Sequence, residues 1–149
     1  MARVESVNVS DGGVPKAAVA EALITTHGLA GDRQRDRRIH GGPDRAVTLF
    51  PAERLDLLRA EGHPIAAGST GENLTVSGLD WDVVNPGVRL RVGAAVLEVT
   101  RYAAPCANIG DSFLGGDFKR LSQERHPGWS RVCARVLREG AVRVGDAVE

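Results

Sequence analysis

Apolar and polar residues alternate along most of this chain. From Arg3 to Val9 the alternation has a period of two, which predicts a half-buried strand. Residues Arg45 to Phe50 read the same way. Pro51 then opens Ala52 to Arg59, where Leu55 and Leu58 lie one helical turn apart; this predicts a short amphipathic helix with proline at its first position, stopped by Gly62, His63 and Pro64. Further strands are predicted over Glu72–Val76, Val88–Val92, Val96–Thr100, Ser130–Leu137 and Ala141–Val144, and a second helix over Asp117–Arg125, ended by Pro127-Gly128. A six-residue echo, Arg91–Val96 against Arg143–Val148, is too short for a repeat architecture and reads as one bend used twice. Short strands, glycine turns and one or two helices predict a mostly β fold, a barrel or a sandwich.

Length and composition narrow this. With 149 residues and no Pro/Ser-rich linker, the chain reads as one domain over residues 1–149. No apolar run approaches the ~18 residues of a membrane span, and the N-terminus lacks the apolar core of a secretory signal. Two cysteines make no disulfide framework, so a reduced, cytoplasmic setting is expected. No CxxC or HExxH spacing suggests a structural zinc site. Nineteen basic residues balance nineteen acidic ones, which argues against nucleic-acid or membrane-surface partners. Seventeen of the nineteen basic residues are arginine, a bias that genomic composition explains, although arginine is also the better fork for phosphate or carboxylate.

Candidate chemistry concentrates at two places. Residues Gly28 to Arg45 hold five arginines and His40 among glycines. Gly41 and Gly42 would let backbone amides approach an anion, with Arg38, His40 and Arg45 as its side-chain contacts. The plain alternative is a solvated loop whose arginines pair with Asp32, Asp36 and Asp44. Cys106 follows an apolar strand and Pro105, where the chain turns into a polar loop; a thiol there is placed to react or to ligate, with a small buried hydrophobe as the plain alternative. Cys133 lies within a strand, on the face of Arg131 and Arg135 and away from Val132, Ala134 and Val136, and reads as structural. Asn73 and Asn108 are contacts to a ligand or turn residues. His27, His63 and His126 adjoin Gly or Pro and read as surface; Trp81 and Trp129 read as covers for the ends of the fold.

Four blocks in order carry a family likeness: Gly28-Leu-x-Gly-Asp through Arg38-x-His40-Gly41-Gly42-x-Asp44-Arg45-Ala46, then Gly71-Glu-Asn-Leu74, then Pro105-Cys106, then Ala134-Arg-Val-Leu137-x-x-Gly140-x-Val142-x-x-Gly145-Asp146. Together they resemble the MOSC domain, named for the C-terminal domain of molybdenum cofactor sulfurases. The resemblance implies a closed or nearly closed antiparallel β-barrel with one or two short helices. It implies molybdenum cofactor (molybdopterin) binding, with Cys106 as metal ligand and catalytic residue or as a persulfide carrier. Arg38, His40, Gly41, Gly42, Arg45, Asn73 and Asn108 would hold the cofactor. Pyridoxal phosphate binding is a further association of the family. Small bacterial members resemble proteins that reduce N-hydroxylated bases, so a molybdenum-dependent reductase component or a sulfur transferase is implied. The chain starts at its first strand and carries no ferredoxin-like cysteine cluster, so electrons or sulfur are expected from a redox or cysteine-desulfurase-type protein partner. Two other classes stay open: a binding module that has lost the chemistry, and a Cys/His hydrolase using Cys106 with His40 or His126, for which no oxyanion hole is evident.

Overall fold

The alternating run at the N-terminus forms strand β1 (Arg3–Val9). In the computed structural model, which describes residues 1–32 and 43–149, it is followed by β2 (Ala17–Val19), β3 (Glu21–Thr25), β4 (Gly28–Leu29) and β5 (Val47–Pro51). Helix α1 (Ala52–Ala60) buries Leu55 and Leu58, as their spacing predicts, with Pro51 standing just outside as the last residue of β5. Then come β6 (Leu74–Ser77), β7 (Arg89–Val92), β8 (Ala95–Tyr102), β9 (Val132–Arg138) and β10 (Gly140–Arg143). Strands β2 to β4 were not signalled by the sequence: they are two to five residues long, and exposed Leu23 breaks the expected alternation. The predicted helix over 117–125 is only a 3-10 turn at Phe118–Leu121, because Phe118 and Leu121 cover a small cluster without a longer apolar stripe behind them.

The closed antiparallel barrel is overturned on two counts. The strands form a seven-stranded sheet, ordered β2-β1-β6-β5-β9-β8-β7, and a three-stranded sheet, β10-β3-β4, and neither closes on itself. No ladder joins the short edge strands β2 and β7; instead Ala147 and Val148 make isolated bridges to Arg3 and Val92. The pairing is also mixed. β5 and β6 run parallel, Leu49 opposite Leu74, because α1 and the following loop carry the chain back to the same end of the sheet.

The echoed segments meet in space. Val148 bridges Val92, and the Gly93 amide donates to the Ala147 carbonyl at 3.2 Å. Gly93 has φ +56°, and a Cβ there would lie 2.6 Å from Asp146 and 2.8 Å from the Ala141 carbonyl, so this bend admits only glycine without rearrangement. The main core gathers Val4, Val7, Ile24, Leu49, Leu74, Leu97 and their neighbours from both sheets. Trp81 belongs to that core and donates to the Ser130 carbonyl at 3.2 Å, so it is a core residue more than an end cover. A second cluster, Phe50, Leu55, Leu58, Ile65, Ile109, Phe113 and Leu121, packs α1 against the loops after β8. His63 joins its margin: its ring meets Phe113 edge-on and its Nδ1 accepts from the Leu114 amide, which corrects the surface reading. Among the described residues no helix is long and apolar enough to cross a membrane.

Candidate functional site

Strand β9 and the residue before it set the floor of a cavity of about 430 Å³, within the range of small-molecule sites. Arg131 and Cys133 are two apart, so their side chains leave the same face of the chain, and both line the cavity. Cys133 is opposite Thr48 of β5 on one side and Arg101 of β8 on the other. On β8 the register shifts between Val99 and Arg101, leaving Thr100 as the extra residue of a bulge. A bulge re-aims neighbouring side chains, and here Arg101 reaches the cavity wall while the Thr100 hydroxyl donates to the Asp44 and Cys133 carbonyls.

Beyond β8 the chain runs without regular structure through Ala103–Cys106 into a 3-10 helix, Ala107–Ser112. Cys106 stands at the helix start, half-buried, and lines the cavity beside Asn108. Arg131 holds this segment: its Nη2 donates to the Ala103 and Ala104 carbonyls at 3.5 and 3.4 Å, while its Nη1 donates to the Thr70 carbonyl at 2.5 Å. Arg131 is only 7% exposed, yet its Nε–H has no partner. A buried unpaired donor on a cation is costly and points to a missing acceptor.

Lys16 and Arg45 complete a set of four cations on the wall, with Arg101 and Arg131. Lys16 is already neutralised. Its Nζ lies 2.6 Å from Asp32 Oδ1, both side chains almost fully buried. Asp32 also accepts from the Ser10 amide and from Asn73 Nδ2, each at 2.9 Å. Asn73 Oδ1 in turn accepts from the Thr48 amide at 3.1 Å. Asn73 is fully buried with its amide occupied by protein partners, so it braces the Lys16–Asp32 pair and is not on the cavity wall. Behind Arg131 lies Glu72, fully buried, accepting from the hydroxyls of Thr70 and Thr75 at 2.8 and 3.2 Å.

Electrostatics follow from this burial. Loss of solvent pulls Arg131 down from its ordinary value, opposed by the negative charges available at Cys133, Glu72 and Cys106. Burial pushes the Cys133 thiol up, against the pull of Arg131, a hydrogen bond with Thr48 and the charges of Arg45 and Arg101. Glu72 is raised by burial despite its hydroxyl donors. Among the described residues no three His, Cys, Asp or Glu side chains are grouped to hold a metal ion.

Of the residues singled out from sequence, Cys106, Arg45 and Asn108 meet at one cavity; Asn73 sits behind it; Arg38, His40, Gly41 and Gly42 lie outside the described residues. Sequence reasoning missed Arg131, Arg101, Lys16 and the cavity position of Cys133. The signal for two of these was present, since Arg131 and Cys133 share the polar face of a strand whose other face is apolar. Nothing in the local sequence marks Lys16, which reaches the site only through tertiary pairing.

Comparison with known proteins agrees with the four-block likeness. Residues 36–149 match the MOSC domain, and the chain belongs to that family. It is 31% identical over 142 residues to the uncharacterized protein YflK of Bacillus subtilis, covering 95% of this chain and 63% of that protein. It is 35% identical over 108 residues to protein YiiM of Escherichia coli, covering 69% of this chain and 48% of that protein. The chain thus spans about half to two-thirds of the length of these relatives. The crystal structure of YiiM from Geobacillus stearothermophilus superposes with a TM-score of 0.76 at 25% identity, over 99% of this chain and 74% of that one.

Proposed function

We propose that the cavity binds the molybdenum cofactor through the phosphate of its pterin, with the Cys106 thiolate as metal ligand, and that the same thiol can carry sulfane sulfur. One observation carries this reading: an accessible thiol stands over a cavity walled by cations, one of them a buried arginine with an unsatisfied N–H. When bound, the group supplies a redox-active metal centre for which a thiolate is a suitably soft ligand. Everything else is the work of the chain. Arg131 contributes a guanidinium charge from inside the protein, while Arg45 and Arg101 provide charge nearer the surface. The Lys16–Asp32–Asn73 network holds the back wall rigid. Arg131 also fixes the Ala103–Ala104 backbone, and so the approach of Cys106.

Cys106 would supply the chain's thiolate to a metal otherwise held by its organic ligand; among the described residues no three His, Cys, Asp or Glu side chains are grouped to hold one. Any reduction, of N-hydroxylated compounds for example, draws electrons from a redox partner, and sulfur loading draws on a cysteine-desulfurase-type partner. Titration of the protein with isolated molybdopterin, followed by pterin fluorescence, tests the reading. Saturable binding that weakens at least about tenfold in Arg131→Met, a loss of ~1.4 kcal/mol, is the expected result. Equal affinity in the parent and in Arg131→Met would sink it.

A further inference from the structure

The cavity wall is charged in one sense. Its described residues include Lys16, Arg45, Arg101 and Arg131, and no aspartate or glutamate. Lys16 is matched from behind by Asp32. Arg131, 7% exposed, has no carboxylate among its hydrogen-bond partners: three neutral carbonyls accept from its guanidinium ends, and its Nε has no partner. Buried Glu72 turns to the hydroxyls of Thr70 and Thr75 instead. Arg101 and Asp44 stand 3.9 Å apart, both about half exposed. Cations left this far uncompensated around one space favour a small anion of more than one charge. Cys106 lines the same space, two residues beyond the Ala104 carbonyl that Arg131 holds. Burial pulls Arg131 down, and negative charge at Cys106 is among the influences opposing it, so thiolate and guanidinium act on one another. A nucleophilic sulfur and uncompensated cations on one wall suit a donor that brings sulfur and negative charge together and leaves as an anion.

We propose that Cys106 takes its sulfur directly from a small thiosulfate-type anion, whose oxyanion end lies against Arg131 and Arg101. The Cys106 thiolate attacks the outer sulfur of thiosulfate. A bond forms between the two sulfurs, the S–S bond of thiosulfate breaks, and its electron pair leaves with sulfite. One thiolate and one thiosulfate thus become one persulfide anion and one sulfite; atoms and charge balance, and no further oxidant enters. The arginines stabilise the negative charge that gathers on the departing sulfite. This inference rests on the sulfur-carrying form of the proposed function, and adds to it a donor that requires no protein partner.

The test uses reduced, desalted full-length protein with sodium thiosulfate as donor and cyanide as sulfur acceptor, beside a separate loading with inorganic polysulfide. Peptide mass mapping follows Cys106, while sulfite and thiocyanate follow turnover. In the parent, thiosulfate adds one sulfur to Cys106, and with cyanide present sulfite and thiocyanate appear in equal amounts. Sulfate, a dianion with no sulfur to give, slows this turnover more than chloride does at matched ionic strength. Arg101→Met, which leaves Arg131 and its hold on Ala103 and Ala104 in place, turns over thiosulfate at least about tenfold more slowly, and Arg101→Lys recovers part of the rate. Cys106→Ser forms no thiocyanate. The inference is overturned if the parent loads Cys106 from polysulfide but not from thiosulfate, a result that needs no variant to fold and leaves the sulfur-carrying reading standing. It is also overturned if sulfate and Arg101→Met both leave the rate unchanged, or if Cys106→Ser turns over as fast as the parent. Failure to load from either donor overturns the sulfur-carrying reading, and the inference with it.

Discussion

Two buried polar groups, Asp32 paired with Lys16 of the cavity wall and Arg131 on the wall itself, face opposite demands. Around Asp32, the carboxylate has Lys16, Ser10 and Asn73 as partners, and Asn73 spends its remaining capacity on Thr48 and Asn8. Around Arg131, three neutral carbonyls accept from the guanidinium ends, and Nε is left without an acceptor. The first group is complete without a ligand; the second is not. Burial is thus common to both groups, and what separates them is whether every polar atom has a partner.

The widest gap between the two should appear in stability. Asp32→Ala leaves Lys16 buried and uncompensated, and should cost about 3–5 kcal/mol in urea unfolding, roughly a 10 °C drop in midpoint. Arg131→Met removes a desolvated cation of comparable burial, with a change expected within about 1.5 kcal/mol, while cofactor binding falls. Equal losses in the two variants would erase the distinction. Asn73→Ala lies between, at about 1–3 kcal/mol, since it strips partners from Asp32 and the Thr48 amide without removing a charge.

Glu72 sharpens the comparison through pH. Its folded-state value is raised above the ordinary 4.5 by burial, so the folded state holds a proton that the unfolded state releases. Stability from this group is present below pH 4.5 and is lost as pH rises through the raised value. Glu72→Gln should flatten that fall and be more stable than the parent at neutral pH; a parallel pH–stability curve would contradict it. Cys106→Ser should have the smallest effect on folding, within about 0.5 kcal/mol, because the residue is half-exposed and its side chain makes no hydrogen bond at the helix cap.

Period-two alternation located β1, β5 and β6 to β10 within a residue or two, and the leucine spacing located α1, because these elements bury one face against a core. Closure of the sheet was not legible. It depends on how far edge strands pair, and β2, at three residues, gives no periodic signal. At the site, Cys106 stood out because a proline and a loop follow its strand. Asn73 stays open in sequence between a ligand contact and a turn residue, because a buried amide and an exposed one look alike there; the partners Thr48, Asn8 and Asp32 become visible only in the fold. Cys133 is buried, in keeping with its structural reading, while Arg131 on the same face is the sequence's one sign that this side of the chain also meets a cavity.

Molybdenum and sulfane sulfur measured per chain, in parent and Cys106→Ser proteins purified side by side without reductant, test the central claim most directly. The account predicts molybdenum near one atom per chain, or a one-sulfur mass gain on Cys106, in the parent and neither in a folded Cys106→Ser variant. Equal retention of either species by the serine variant, or neither species in the parent, would contradict it.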